Sequence, residues 1–344
     1  MKSKLTIIGT GFIGASLGLA IRARDSGRFQ VVGTDINRAN AAGADAAGAV
    51  DTTSDNLREA VEGAQVVVLA TPLKAMKDVM EIIGPGLEDG CLVTDTAGIK
   101  APVMEWAKEY LPDRVTFVGG HPIVFRGGTG PDSADANLFA GCPYCVIPSP
   151  GARQDRVKDA VQLVQSVGAV DRFIDAAEHD TLIAAVDNLP LLLSAALVGC
   201  ASRSQSWDDI AILASRYFGE MTTLVKEDTA ADQDSFFFNE SATVAWIDNF
   251  IRELYRIRQV LESDDKDKDS TLSELLEEAR AARQKWLEGA VTSETLAAIE
   301  GAKVPPKSSM LDIVTGDRDA RERAFGWGGR MPDRRSKDKE RGKW

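Results

Sequence analysis

"KLTIIGTGFIGASLGLAIRARD", residues 4–25, decides the fold. Leu5 to Ile8 form a short continuous apolar run, the signature of a strand buried on both faces. Gly9-Thr10-Gly11-Phe12-Ile13-Gly14 follows at once and fits G-x-G-x-x-G. Gly9 permits a tight turn, Gly11 lets backbone approach a pyrophosphate, and Gly14 lets the next helix pack closely on the strand. The helix N-terminus then presents free N–H groups and the positive end of its dipole to the phosphates. The stretch predicts strand, turn and helix, with Gly9, Thr10, Gly11, Phe12, Ile13 and Gly14 as the phosphate cradle of a dinucleotide.

The context supports that reading. A second apolar run, "FQVVGTD", ends in Asp35, 21 residues after Gly14. A carboxylate there accepts hydrogen bonds from the ribose hydroxyls and repels a 2′-phosphate. NAD is therefore the expected cofactor. NADP is the alternative, because Arg38 stands three residues on. "AQVVVLATP" (64–72) reads as another strand closed by Thr71-Pro72, "CLVTDTAGIK" (91–100) as a fourth, and "VTFVGG" (115–120) as a fifth leading into His121. Strands alternating with helical stretches predict a parallel, doubly wound α/β sheet of the Rossmann type. Ligands bind such sheets at the carboxyl ends of the strands. Gly9–Gly14, Asp35, Thr71-Pro72, Asp95–Lys100 and the loop from Gly120 to Gly128 are thus expected on one edge.

After Asp175 the strand signals stop. "AAEHDTLIAAVDNLPLLLSAALVGCAS" (176–202) is apolar nearly all round in its second half, which predicts a helix buried in a core or against a partner subunit. Pro190 predicts a kink or break in it. Further helical runs fall near 207–227, 236–262, 270–288 and 292–301. The expected organisation is a Rossmann domain over 1–175, an all-helical domain over 176–302 and a charged tail over 303–344. A length of 344 residues fits two domains of ordinary size, and 44% apolar content argues against disorder over most of the chain.

The formal net charge of −12 argues against nucleic-acid binding by the body of the protein. The tail is the exception, with 12 Lys/Arg against 7 Asp/Glu from Lys303 onward, and reads as a solvated extension. The longest apolar run, residues 189–200, is shorter than the ~20 residues a bilayer requires. Glycines break the N-terminal apolar stretch before a signal peptide could form. A cytoplasmic protein without membrane partners is expected. Cys142-Pro143-Tyr144-Cys145 is a C-x-x-C, but "YCVIP" reads as a strand rather than the helix N-terminus that activates a redox dithiol. With no second cysteine pair, no metal site is expected.

Two histidines are present, His121 and His179. Hydride abstraction from an alcohol carbon needs an acceptor for the hydroxyl proton, and histidine suits it. His121, on the cofactor edge, is the candidate catalytic base; the alternative is a ring that merely ties down its loop. His179, followed by Asp180, is either a helix-start histidine or a substrate contact. Lys100 is either solvated at a helix start or a ligand for an acid group. Arg126 is a candidate anion clamp.

The order GTGFIG, Asp35, "LATP" (69–72), "VTDTAGIK" (93–100), "GGHPI" (119–123), "LFAGCPYCVIP" (138–148) and "AAEHD" (176–180) resembles the prephenate/arogenate dehydrogenases of tyrosine biosynthesis, over about residues 4–260. The resemblance implies NAD(P)-dependent oxidative decarboxylation of a cyclohexadienol to 4-hydroxyphenylpyruvate or tyrosine, and a homodimer built through the helical domain. It implies that His121 bonds the ring hydroxyl and assists its deprotonation as hydride leaves, after which the ring aromatises by losing CO2. Three substrate-side positions depart from the family pattern. Gly98 stands where a serine is usual. Asp187-Asn188-Leu189-Pro190-Leu191 replaces S-H-L-P-H. Thr223 falls where an arginine holds a substrate carboxylate. Loss of that arginine should cost several kcal/mol of binding, roughly 2–5 for a buried charge pair. Arg126, Arg203 and Arg216 are the available replacements. Otherwise the substrate is different, as for a relative in specialised metabolism, or the chain is an NAD-binding sensor without turnover.

Overall fold

The computed structural model describes residues 2–25, 27–225, 230–264 and 267–289. The expected helix at 292–301 and the tail at 303–344 lie outside them.

The first part of the chain alternates as the sequence predicts. Strands β1 (Ser3–Ile8), β2 (Phe29–Thr34), β3 (Thr52–Thr53), β4 (Val66–Leu69), β5 (Leu92–Asp95), β6 (Thr116–Pro122), β7 (Pro143–Pro148) and β8 (Val170–Phe173) form one sheet in the order β3-β2-β1-β4-β5-β6-β7-β8. Helices α1 (Phe12–Arg24), α2 (Arg38–Ala46), α3 (Leu57–Val61), α4 (Leu73–Ile83), α5 (Ala101–Tyr110) and α6 (Gln154–Ser166) connect them. The order reverses between β1 and β4, where doubly wound sheets bind dinucleotides. Alternate strand residues feed two separate cores. Leu5, Ile7, Val66 and Val68 meet Phe12, Leu17 and Ile21 of α1 and Leu163 of α6, whereas Ile8, Val67, Leu69 and Val93 meet Met76 and Met80 of α4 and Val103 of α5.

Two details differ from the sequence reading. The sheet is not wholly parallel, because β7 runs antiparallel to β6. His121 also lies inside β6 rather than in a turn after it. It pairs with Cys145, and the strand continues through Pro122. Pro122 is compatible with this position because it lies at the end of the strand, where a missing N–H is tolerated.

The rest is helical: α7 (Ala176–Ile183), α8 (Leu189–Ser202), α9 (Trp207–Leu213), α10 (Arg216–Thr222), α11 (Ala230–Phe238), α12 (Glu240–Glu262) and α13 (Lys268–Gly289). The disturbance expected around Pro190 is a π turn, Ala184–Asn188, joining α7 to α8. An inserted residue of this kind accommodates a proline that cannot donate to the ladder. The apolar run does not stop at residue 200: Ala176–Ser202 is a 27-residue helical stretch, long and apolar enough to cross a membrane by length and composition alone. Its first half, however, carries buried His179, Asp180 and Asn188. Asp180 is bonded to the start of α5, and Asn188 to Ser235 of α11 and Thr243 of α12. In its second half only Leu189 and Ser194 are buried within the protomer.

Candidate active site

The glycine-rich turn is built by exclusion. Gly9 has φ +93°, and a Cβ there would collide with the Ala70 carbonyl. A Cβ on Gly14 would collide with the Gly9 carbonyl. Around Gly11 the opposite holds, with nothing within 4 Å of the Cβ position. Gly11 is also the N-cap of α1 and supplies no side-chain acceptor, so the first N–H groups of that helix are left for a ligand. Phe12 lies beneath the loop that follows β6, its ring 2.7 Å from where a Gly128 Cβ would stand. Asp35, just after β2, accepts from the Thr10 N–H at 2.8 Å and from the Asn37 N–H at 2.8 Å. Those bonds hold its carboxylate beside the turn. Arg38 is 85% exposed and 3.9 Å from Asp55. Thr71, two residues after β4, has a buried hydroxyl with no hydrogen-bond partner among the described residues, and Pro72 caps α4. An open backbone cradle, a fixed carboxylate and an orphaned hydroxyl at one sheet edge fit a dinucleotide, which Gly9–Gly14, Asp35 and Thr71 would hold.

Asp95 and Lys100 fill a different place. Both are fully buried. Asp95 accepts from the N–H groups of Ala97 (2.8 Å) and Gly120 (3.0 Å) and forms an ion pair with Lys100. Lys100 also donates to the Gly120 carbonyl at 2.7 Å. Tyr144 Oη donates to the Asp95 carbonyl at 3.4 Å. Burial draws the Lys100 ammonium below its ordinary range, and Asp95 pulls the other way. The expectation of Asp95 on the cofactor and of Lys100 on solvent or substrate gives way to a closed ion pair. It locks the end of β5 against β6, directly before His121.

His121 and His179, 58 residues apart, meet here. His121 Nδ1 and His179 Nε2 are 2.9 Å apart, and His179 Nδ1 is 2.7 Å from Asp180 Oδ1. Asp180 in turn accepts from the backbone N–H groups of Lys100 and Ala101, each at 2.7 Å, so it caps α5. A carboxylate only accepts, so His179 carries its proton on Nδ1 and accepts at Nε2. His121 must then donate from Nδ1, which leaves a lone pair on Nε2. That Nε2 faces Gly98, 3.8 Å from where a Cβ would be. Gly98 is exposed and puts no side chain there, which leaves open space beside the ring. Burial, followed by His179 and Lys100, holds the His121 pKa well below its ordinary 6.5. The ring therefore stands neutral, ready to accept a proton.

Sequence reasoning missed the group that supports this chain. Asn239 Nδ2 donates to the Asp180 carbonyl at 2.7 Å. Asn188 Nδ2 donates to Thr243 Oγ1 at 2.9 Å, Ser235 Oγ donates to Asn188 Oδ1 at 2.7 Å, and Thr243 Oγ1 donates to the Asn239 carbonyl at 2.8 Å. Asn188, offered as a substrate contact, is thus committed to packing the π turn onto α11 and α12. Other substrate candidates are also engaged. Arg126 pairs with Asp135 at 2.6 Å, in a loop tied to Ser16 of α1. Arg216 pairs with Glu220 of its own helix, and Thr223 bonds back to the Glu220 carbonyl. No local sequence signal marks Asn239; only the packing of α12 on α7 brings it there.

Two family models match, described as prephenate dehydrogenase, nucleotide-binding domain (residues 17–172) and prephenate dehydrogenase, dimerization domain (residues 175–278). A probable prephenate dehydrogenase of Streptomyces niveus is 30% identical over 261 residues, covering 74% of this chain and 68% of the relative. The chain belongs to the prephenate dehydrogenase family. The prephenate dehydrogenase of Bacillus subtilis is 28% identical over 267 residues, covering 77% of this chain and 72% of that one. In fold, the chain is similar to the prephenate dehydrogenase of Aquifex aeolicus crystallised with hydroxyphenyl propionate and NAD+, with a TM-score of 0.76 at 22% identity over 83% of this chain and 98% of that one. This member of the prephenate dehydrogenase family is therefore an oxidoreductase with a nucleotide-binding domain, and its two matched segments meet at residues 172–175, where α7 begins.

Proposed function

We propose that the chain oxidises a cyclohexadienol, prephenate or arogenate, with NAD, and that His121 is the base. The observation that carries this is the ordered chain His121–His179–Asp180, which fixes the lone pair of His121 Nε2 toward the open space at Gly98. Bound NAD supplies the acceptor for the hydride. His121 Nε2 takes the proton from the ring hydroxyl as the carbonyl forms. The positive charge that develops on His121 is shared through His179 toward the Asp180 carboxylate. Loss of CO2 from the oxidised ring restores aromaticity and drives the reaction forward. Asp35 receives the ribose hydroxyls, and its carboxylate disfavours a 2′-phosphate, which supports NAD over NADP.

The helical domain leaves Leu197, Tyr217, Met221, Leu254 and Tyr255 between 37% and 77% exposed. A patch of that kind, in a segment matched by a dimerization-domain model, supports a homodimer formed through these helices. The deciding assay follows absorbance at the NADH band with prephenate and arogenate in parallel, each with NAD and NADP. Substrate-dependent NADH formation is expected with at least one of them. NAD binding without turnover of either would overturn the reading.

A further inference from the structure

Asn239 stands between α11 and α12 and is the N-cap of α12. An asparagine at that position ordinarily turns its side-chain oxygen onto the first N–H groups of its own helix. Asn239 does not. Its side chain is buried, makes no bond to α12, and donates to the Asp180 carbonyl at 2.7 Å. Trp246, seven residues on and on the same face of α12, donates from Nε1 to the next carbonyl, Thr181, at 2.9 Å. One helix thus holds two consecutive carbonyls of α7. With eight residues running into a π turn, α7 keeps its place through its neighbours rather than by itself. Those neighbours close a triangle. Asp180 caps α5, Asn239 ties α7 to α12, and Phe238, just before Asn239, meets Trp106 of α5 edge-on. The tie is not there to satisfy a buried acceptor, because the Asp180 carbonyl also receives the Ala184 N–H. Its effect is one of position.

We infer that Asn239 is a positioning residue for the oxidation: by holding the Asp180 main chain it keeps Asp180, His179 and His121 in line, so that proton removal depends on how α12 is seated. The inference rests on the reading of His121 as the base. The relay has two links, 2.7 Å from Asp180 to His179 and 2.9 Å from His179 to His121. Hydrogen bonds weaken steeply as distance and angle leave their optimum. A displacement of about 1 Å at a catalytic group costs on the order of 100-fold in rate. Asp180 is held at two points, by its carboxylate on α5 and by its carbonyl on α12. Release of the second lets α7 shift, and His179 shifts with it. The glycine-rich turn and Asp35 belong to β1 and β2, and none of these bonds reaches them.

The test measures kcat, substrate KM and NAD affinity in the intact protein for Asn239→Ser and Asn239→Asp, with whichever cyclohexadienol the wild type oxidises. Serine is too short to reach the Asp180 carbonyl, and an ionised aspartate has no proton to donate, yet both are favoured N-caps for α12. Both variants should therefore melt within about 4 °C of wild type. Their kcat should fall by about 10-fold or more, with substrate KM and NAD affinity within about two-fold of wild type. Asn239 acts through Asp180, so Asn239→Ser added to Asp180→Asn should slow the enzyme no further, whereas independent effects would multiply. Ser235→Ala loosens α11 from Asn188 without touching α7, and should lower the melting temperature while kcat stays. Unchanged kcat in both Asn239 variants would overturn the assignment and leave His121 as the base. A multiplicative loss in the double variant, an equal loss in Ser235→Ala, or loss through unfolding alone would do the same. Wild-type turnover by His121→Asn, or turnover of neither substrate by the wild type, would sink both readings.

Discussion

His121, the proposed base, owes the lone pair on its Nε2 to what is done to its far nitrogen. Asp180 orients His179, and His179 orients His121, so His121→Asn should bind NAD with wild-type affinity, measured by fluorescence titration, and lose about 10²–10⁴-fold in kcat. Asp180→Asn is the more informative change. Its amide donates where a carboxylate accepted, so the His179 tautomer is no longer enforced, and kcat should fall by at least about 10-fold with NAD affinity kept. Burial also ties this histidine to acid stability. The folded state resists protonating His121, while the unfolded chain takes up that proton near pH 6.5. Below that pH the unfolded state binds more protons than the native one, so stability falls as pH drops from about 6.5 toward the depressed folded value. Denaturant titrations at pH 7.5 and 5.5 should show the loss, and His121→Asn should reduce it. At this scale the sequence was only partly legible. His121 stood out because histidines are scarce and it follows a strand. Its partnership with His179 was not readable, since 58 intervening residues must fold before the rings meet.

At the scale of elements, the first strand, turn and helix were the most legible part of the chain, because steric rules there leave little choice. The three glycines nevertheless do different jobs. Gly14→Ala forces a methyl into the Gly9 carbonyl and should lower the melting temperature as well as abolish NAD binding. Gly11→Ala meets nothing in the protein, so its melting temperature should stay within about 2 °C of wild type while NAD affinity falls by 10-fold or more, on the view that its methyl occupies pyrophosphate space. Calorimetry with and without NAD separates the two outcomes. Lys100 shows where element-level reading failed. A lysine before a helix usually faces water, and only the approach of β6 encloses it with Asp95. The helical half was predicted as runs whose ends were blurred. The expected helix at 207–227 is two, broken at Ala214-Ser215, and that at 236–262 begins only after Asn239 separates it from α11. Ser215 and Asn239 are residue types that favour an N-cap, but neither side chain accepts from the first turn of its own helix, and Asn239 donates to the Asp180 carbonyl instead.

Across the whole molecule, the helices read as a partner-seeking face attached to a finished α/β domain. Val244, Ile251, Leu254 and Leu261 of α12 are each more than 40% exposed. Leu254→Asp should therefore shift the protein to monomer in sedimentation velocity, at micromolar concentration, while leaving the Rossmann domain folded and able to bind NAD. The two halves are joined as well as linked. Lys74 of α4 pairs with Asp234 of α11, and Trp106 of α5 meets Phe238 edge-on at 5.3 Å. Sequence alone could propose two domains but not these ties, which depend on side chains more than a hundred residues apart. The cap that Asp180 places on α5 has one more consequence. Amide protons in the first turn of a helix normally exchange with solvent quickly, because nothing inside the helix accepts them. Those of Lys100 and Ala101 are bound instead by a carboxylate from the other domain. They exchange slowly only while the helical domain is seated, so two amides in the nucleotide-binding half serve as a clock for how often the active site comes apart.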